Sequence, residues 1–151
     1  MVPNRRISPR RDFLSVAVEL SMLTEQAARG VELESADHGL AASKVVLQRG
    51  LLNPVQVDIV ETLLSPDQVI PGFEILELVG QGGMGVVYRA RQQSLDRTVA
   101  LKTVLINQMA NTSVLARFEQ EAVTVGRLRH PHIVAAYDFG KHGGRVYLSM
   151  E

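Results

Sequence analysis

The spacing of apolar residues changes midway along the chain, and this change constrains the fold more than any other feature. In the first half, Phe13, Leu14, Ala17 and Leu20 recur at intervals typical of one helix face. In the second half, residues 73–79 approximately alternate apolar and polar side chains, as a half-buried strand does. The two periods predict an α+β chain in which a small helical segment precedes a sheet.

A cluster of turn-forming residues, Ser65-Pro66-Asp67 and Pro71-Gly72, lies where the period changes. The charge changes there too. Residues 12–70 carry three basic and nine acidic side chains, whereas residues 71–151 carry nine basic and seven acidic ones. We therefore expect three parts: a basic flexible arm at 1–11, a small helical extension at 12–66 and a second domain at 71–151.

Composition excludes several classes of protein. The absence of cysteine excludes a disulfide scaffold, a thiolate metal site and a cysteine nucleophile. The sequence has no run of about 18 apolar residues, so it contains no segment expected to span a membrane. Its 16 basic and 16 acidic residues cancel, which argues against a general nucleic-acid-binding face.

The basic arm raises the question of export, because Arg10-Arg11-Asp12-Phe13-Leu14 resembles a twin-arginine signal. However, Glu19 and Glu25 interrupt the apolar stretch that such a signal requires, and no A-x-A cleavage site follows. We interpret the arm as a basic terminus that leads into an amphipathic helix, and we expect a cytoplasmic protein.

Four short helices are predicted in the helical extension. Thr24 is the expected N-cap of the second helix, and Gly50 is the expected C-terminal glycine of the third. Asn53-Pro54 forms a cap and first turn for the fourth, which should run to Leu64. His38 stands beside a glycine, so we expect it in a solvated loop. No residue of this segment has a catalytic pattern.

Glycines connect two predicted strands of the second domain. Gly80-Gln81-Gly82-Gly83-Met84-Gly85 matches G-x-G-x-x-G, a pattern shared by several phosphate-binding turns. Val86-Val87 stands where a Walker A loop needs Lys-Ser/Thr, which excludes that loop. Residues 86–90 are β-branched and aromatic, so a returning strand is favoured over the helix of a dinucleotide-binding turn. The predicted hairpin can lie close to a phosphate because glycine has no Cβ.

Two charged residues interrupt apolar patterns. Lys102 lies in the strand predicted over 98–104; it either faces solvent or is held by a carboxylate for contact with phosphates. Glu121 belongs to the helix predicted over 112–129, on the face that also carries Phe118, Val125 and Leu128. A carboxylate on a buried face is costly unless it is paired, so we predict an ion pair between Lys102 and Glu121. Glu119 and Gln120 are expected at solvent positions.

The order of these motifs resembles the small lobe of a protein kinase, and the glycine segment resembles that of bacterial serine/threonine kinases. His130-Pro131-His132-Ile133-Val134 resembles the connection after the αC helix of kinases, and residues 146–151 resemble a last strand entering the hinge. The resemblance covers about residues 71–151. It implies a five-stranded antiparallel sheet plus αC helix, and phosphoryl transfer from ATP to protein serine or threonine by the full-length family.

The resemblance also implies residue roles. Backbone amides of the glycine segment would cover the ATP phosphates, Lys102 would hold the α- and β-phosphates, and Glu121 would orient Lys102. Val87 and Ala100 would contact adenine. Met150 matches the gatekeeper position, the Glu151 carbonyl matches the first hinge contact, and Ala136 matches a packing position that is usually larger. The implied ATP-binding residues are Val79, Gly80, Gln81, Gly82, Gly83, Met84, Gly85, Val87, Ala100, Lys102, Met150 and Glu151.

The sequence lacks the H-R-D catalytic loop of kinases. The letters Asp138-Phe139-Gly140 occur, but with no H-R-D before them, so we interpret them as part of a hairpin connection over 137–144, between two strands, and assign no metal to Asp138. His130, His132 and His142 have no metal-ligand spacing. We expect magnesium and the protein substrate to require a missing large lobe. The chain is therefore expected to be an amino-terminal fragment or truncated product that is inactive alone.

The sequence leaves two other functions open. The first is a non-catalytic regulatory or interaction module derived from a kinase N-lobe. It would bind a partner through its small lobe and acidic helices, and nucleotide binding would have no role in its function. The intact set of Gly80, Gly82, Gly85, Lys102 and Glu121 argues against that alternative. A dinucleotide-binding enzyme would require a helix that starts near Gly85.

Overall fold

The computed structural model describes residues 11–82, 85–105, 112–132 and 134–151. These residues form two compact units, of which the first ends at Leu64 and the second begins at Ser65. The predictions that concern residues 1–10, Gly83, Met84 and Ile133 fall outside the described residues. Arg11, the last residue of the predicted basic arm, forms an ion pair with Glu19 at 3.2 Å.

Four helices form the first unit: α1 Phe13–Glu19, α2 Glu25–His38, α3 Ala42–Gln48 and α4 Pro54–Leu64. Polar side chains fix where three of them begin. Asp12 Oδ1 accepts a hydrogen bond from the Ser15 amide, and Ser15 Oγ accepts one from the Asp12 amide, which is a capping box. As predicted, Thr24 caps α2 and Asn53 caps α4 through the amides three residues later.

The sequence predicts a second helix that ends at Glu34, but the observed α2 is longer. It continues to His38 and ends at Gly39, whose φ of 63° is left-handed. The expectation of a loop at His38 is therefore wrong, because the residue that stops the helix is the glycine after it. Together the four helices enclose a small apolar core, whose fully buried members are Val16, Ala17, Val31, Val45, Val46 and Val60.

The second unit contains a five-stranded antiparallel sheet in the order β1-β2-β3-β5-β4. Its strands are β1 Phe73–Gly82, β2 Gly85–Gln92, β3 Arg97–Leu105, β4 Ala136–His142 and β5 Arg145–Met150. One helix, α5 Thr112–Arg127, joins β3 to β4 in sequence. The predicted α+β fold, a helical segment followed by a five-stranded antiparallel sheet with one long helix, is confirmed.

The helix α5 packs on one face of this sheet. Its buried residues Phe118 and Ala122 contact Val146 and Leu148 of β5. Lys102 of β3 lies opposite Leu148 in the register, and directly opposite residues project from the same face. The pattern of the sequence therefore brings α5 and Lys102 to the same side of the sheet.

Two predictions for the second unit are wrong. Asp138-Phe139-Gly140 lie inside β4 rather than in a hairpin loop, and the turn is made by Gly143 and Gly144, with φ of 57° and 74°. Leu128 is 45% exposed, because α5 ends at Arg127 and the apolar stripe ends with it. In the described part of the chain, no helix combines the length and the apolar character needed to cross a lipid bilayer.

Candidate functional site

The structure brings Lys102 and Glu121 together, although they lie on different elements. Lys102 Nζ donates hydrogen bonds to Glu121 Oε1 at 2.9 Å and to Oε2 at 3.0 Å. The lysine side chain is 16% exposed and the glutamate side chain 36%. The Phe118 ring centroid lies 5.8 Å from the same Nζ. Removal of either charge would leave the other partly desolvated, so each side chain requires its partner.

The glycine turn lies at the end of the β1–β2 hairpin. The two strands stay paired to Gly82 and Gly85, which face each other across the hairpin. Gly85 has φ of 129°, and a Cβ atom there would lie 2.5 Å from the carbonyl oxygen of Thr103. At Gly80 and Gly82 an added Cβ would meet no atom within 4 Å. Packing therefore demands glycine at position 85 but not at the other two.

An open concavity of about 470 Å³ lies beneath this turn. Glycines, two valines, a glutamine and the lysine line it: Val79, Gly80, Gln81, Gly82, Gly85, Val87 and Lys102. A second concavity of about 240 Å³ also uses Val79 and is lined by Arg89, Thr98, Val99, Ala100 and Glu151.

Most of the predicted ATP-binding residues line one of these two concavities. Gly83 and Met84 fall outside the described residues. Met150 lines neither concavity and instead packs, partly buried, against the cluster around Phe118. Ala136, the predicted packing position, contacts the same cluster and is half-buried.

Sequence reasoning missed Arg89, which lines the second concavity and pairs with Glu77 at 2.8 Å. Its position was readable from the strand period. Arg89 is two residues beyond Val87 and lies opposite Ala100 in the register, so all three project from one face. Thr98 and Val99 were missed as well, and no motif in the sequence marks them.

Asp138 and the histidines lie away from the concavities. Asp138 is exposed on β4. The pKa of Tyr147 is raised above its ordinary value, first by burial of the Tyr147 phenol and second by the nearby Asp138 carboxylate. His130 Nδ1 accepts a hydrogen bond from the His132 amide at 3.1 Å, and His142 ends β4. Among the described residues, no three His, Asp or Glu side chains are grouped in a way that could hold a metal ion.

The sequence profile of the protein kinase domain matches residues 73–151, just over half of the chain. Serine/threonine-protein kinase pkn3 of Myxococcus xanthus is 40% identical over 80 residues, which are 52% of this chain and 15% of that protein. Serine/threonine-protein kinase PknF of Mycobacterium tuberculosis is 40% identical over 88 residues, which are 58% of this chain and 18% of that protein.

Serine/threonine-protein kinase PknD of Mycobacterium tuberculosis is 41% identical over 78 residues, which are 52% of this chain and 12% of that protein. The chain therefore spans less than a fifth of the length of these three relatives.

Proposed function

This chain belongs to the protein kinase domain family, and we propose that residues 73–151 are the ATP-binding small lobe of a serine/threonine protein kinase. The observation that carries the proposal is the Lys102–Glu121 ion pair at the side of a concavity beneath a glycine turn. The three relatives described above carry the serine/threonine specificity, which we extend to this chain.

Lys102 is the residue we assign to the phosphates. An ammonium group has three donors, and the two oxygens of Glu121 accept two of them. One donor is then available for a phosphate oxygen, with its direction fixed by the other two. Because Gly80 and Gly82 present no side chain to the concavity, the backbone of the turn can approach the phosphates closely.

The apolar lining is the part we assign to adenine. Val79, Val87 and Ala100 line the two concavities, which share Val79, and offer apolar contacts for a ring. Glu151 lies at the edge of the smaller concavity, where its carbonyl is assigned to the exocyclic amine of adenine. Met150 lies opposite Ala100 in the register of β3 and β5, so it is assigned to the adenine end as well.

We further propose that the 151-residue chain does not itself transfer phosphate. Its sequence contains no H-R-D motif to supply a catalytic base. Its Asp-Phe-Gly lies in β4, where Asp138 is near Tyr147 rather than the concavities, so we assign it no magnesium. Magnesium and the protein substrate are assigned to kinase segments that these residues do not include.

The test is a titration of the ¹⁵N-labelled chain with ATP at millimolar concentrations, followed by nuclear magnetic resonance. We expect ATP to shift the amide signals of Gly80, Gly82 and Gly85, and Lys102→Met to abolish these shifts. Lys44→Met removes an exposed lysine of α3 and serves as the matched control. Equal shifts in the parent chain and in Lys102→Met would contradict the proposed site. No shift in any variant would favour a non-catalytic module.

A second measurement addresses phosphoryl transfer. The purified chain is incubated with labelled ATP and a protein acceptor, with Lys102→Ala as the blank. We expect equal incorporation in both samples. Incorporation by the parent chain that Lys102→Ala abolishes would show that the catalytic groups lie within these residues, and would refute the assignment of catalysis to other segments.

A further inference from the structure

A second lysine–glutamate pair lies on the other flank of α5. Lys141 Nζ of β4 is 3.1 Å from Glu119 Oε1, whereas Lys102 of β3 pairs with Glu121. Two residues that are two positions apart in an α-helix point about 200° apart around its axis. The two carboxylates therefore leave the helix on opposite sides. Glu119 is 43% exposed, in keeping with the solvent position that the sequence predicted, but it also has a lysine partner.

The order of the strands explains this arrangement. β5 lies between β3 and β4, and α5 rests on Val146 and Leu148 of that middle strand. Lys102 lies opposite Leu148 on one side, and Lys141 lies opposite Val146 on the other. The helix thus lies over β5, with one ion pair to each neighbouring strand.

The Phe118 ring connects the two sides. It is buried, lies 6.0 Å from the Phe139 ring of β4, and lies 5.8 Å from Lys102 Nζ. Phe139 and Lys102 both lie opposite Leu148, so the three side chains occupy one row across the sheet. The Phe118 ring therefore links Phe139 of β4 to Lys102, so a substitution at Phe139 can alter the surroundings of the lysine.

We propose that Glu119, Lys141 and Phe139 are positioning residues that fix the rotation of α5 about its axis and so hold Glu121 against Lys102. One ion pair alone would allow the helix to roll toward β3, and the second pair opposes that roll. Glu119 and Lys141 are 43% and 54% exposed, so the pair sets an orientation more than it adds stability. Its purpose rests on the proposed ATP site, but the orientation can be measured without ATP.

Spin labels can measure the orientation, because the chain has no cysteine to remove. Labels at Val123→Cys on α5 and Ser94→Cys in the β2–β3 turn occupy exposed positions of the second unit. Lys141→Met removes the charge and keeps an unbranched side chain that is one atom shorter. Glu119→Lys combined with Lys141→Glu exchanges the charges. Arg49→Met, which removes an exposed ion-paired cation of the first unit, is the matched control.

We expect Lys141→Met to broaden the label-to-label distance distribution and to weaken ATP binding about two- to fivefold, the range for an exposed ion pair. Phe139→Ala should broaden the distribution further, because it removes the ring contact. The charge exchange should restore both the distribution and the affinity, a rescue that loss of folding would not show. Arg49→Met should change neither.

Unchanged distances in Lys141→Met and Phe139→Ala overturn the proposal. If Lys102→Met abolishes ATP binding while Lys141→Met alters neither distance nor affinity, the positioning role is wrong and the ATP site stands. If the parent chain binds no ATP, the proposed function fails, and the distances alone decide whether β4 orients α5.

Discussion

Gly85 is the position where the structure makes the sharpest prediction. Its φ of 129° lies in a region that side-chain-bearing residues rarely adopt. A Cβ atom there would lie 2.5 Å from the Thr103 carbonyl oxygen and 2.7 Å from Val104 Cγ2. The carbonyl belongs to β3, whose pairing with β2 begins at Val86 and Thr103, so it cannot move without disturbing that ladder.

The cost of Gly85→Ala can be worked from these two effects. A strained backbone costs about 1–3 kcal/mol and overpacking about 1–3 kcal/mol, so the free energy of unfolding should fall by about 2–6 kcal/mol. In a domain of roughly 60–100 residues, about 1 kcal/mol shifts Tm by about 4–8 °C. We therefore expect the unfolding transition of the second unit to move down by at least about 8 °C in a calorimetric scan.

Gly82→Ala is the matched control, because an added Cβ there meets nothing within 4 Å. Its stability should stay within about 0.5 kcal/mol of the parent chain. Its ATP-induced shifts should weaken, since the methyl group projects where the phosphates are assigned. If Gly85→Ala melts at the same temperature as Gly82→Ala, the backbone conformation at position 85 does not constrain the fold as argued.

Three further predictions concern other parts of the chain. Thr24→Ala should lower the free energy of unfolding of the helical unit by about 1 kcal/mol, because the α2 cap is lost. Thr24→Ser should retain the cap and the stability, and urea unfolding of the two variants measures the difference. Asp138→Asn should lower the pKa of Tyr147 toward 10.0, measured as phenolate absorbance against Tyr147→Phe, and an unchanged titration would exclude the carboxylate as a cause. The folded-state pKa of Tyr147 is raised, so the protonated phenol favours folding. This contribution to stability should be fully present below the unfolded-state pKa of Tyr147. It should be lost as the pH rises through the folded-state pKa.

The features that the sequence predicted correctly are those in which only one kind of partner can satisfy a polar or charged side chain. Lys102 and Glu121 each interrupt an apolar pattern, and mutual pairing is the arrangement that satisfies both. Thr24 and Asn53 precede helical patterns, where a short polar side chain accepts from a free amide. Each of these needs is visible in the sequence itself, because the residue type conflicts with, or completes, the pattern of its neighbours along the chain.

The features that escaped prediction depend on a partner strand. Asp138 and Gly140 favour turns, yet they lie in β4 because Gly143 and Gly144 supply the positive φ angles of the turn. The Tyr147 ring of β5 lies over Gly140, where it occupies the space that a Cβ would need. Glu119 gains its partner Lys141 only through the register of β4, which no spacing along the chain reveals.

The constraint at Gly85 and the placement of Lys102 are consequences of one register. Val86 lies opposite Thr103 and Val87 lies opposite Lys102, so seating Gly85 against the Thr103 carbonyl fixes where Val87 meets the lysine. A larger residue at position 85 must move the start of β2 away from β3 and with it the apolar contact assigned to adenine. Gly85→Ala should therefore lose ATP-induced shifts even in an osmolyte that restores its Tm, because refolding recovers the sheet but not this spacing. Full ATP response in the restabilised variant would show that the turn and the lysine are set independently.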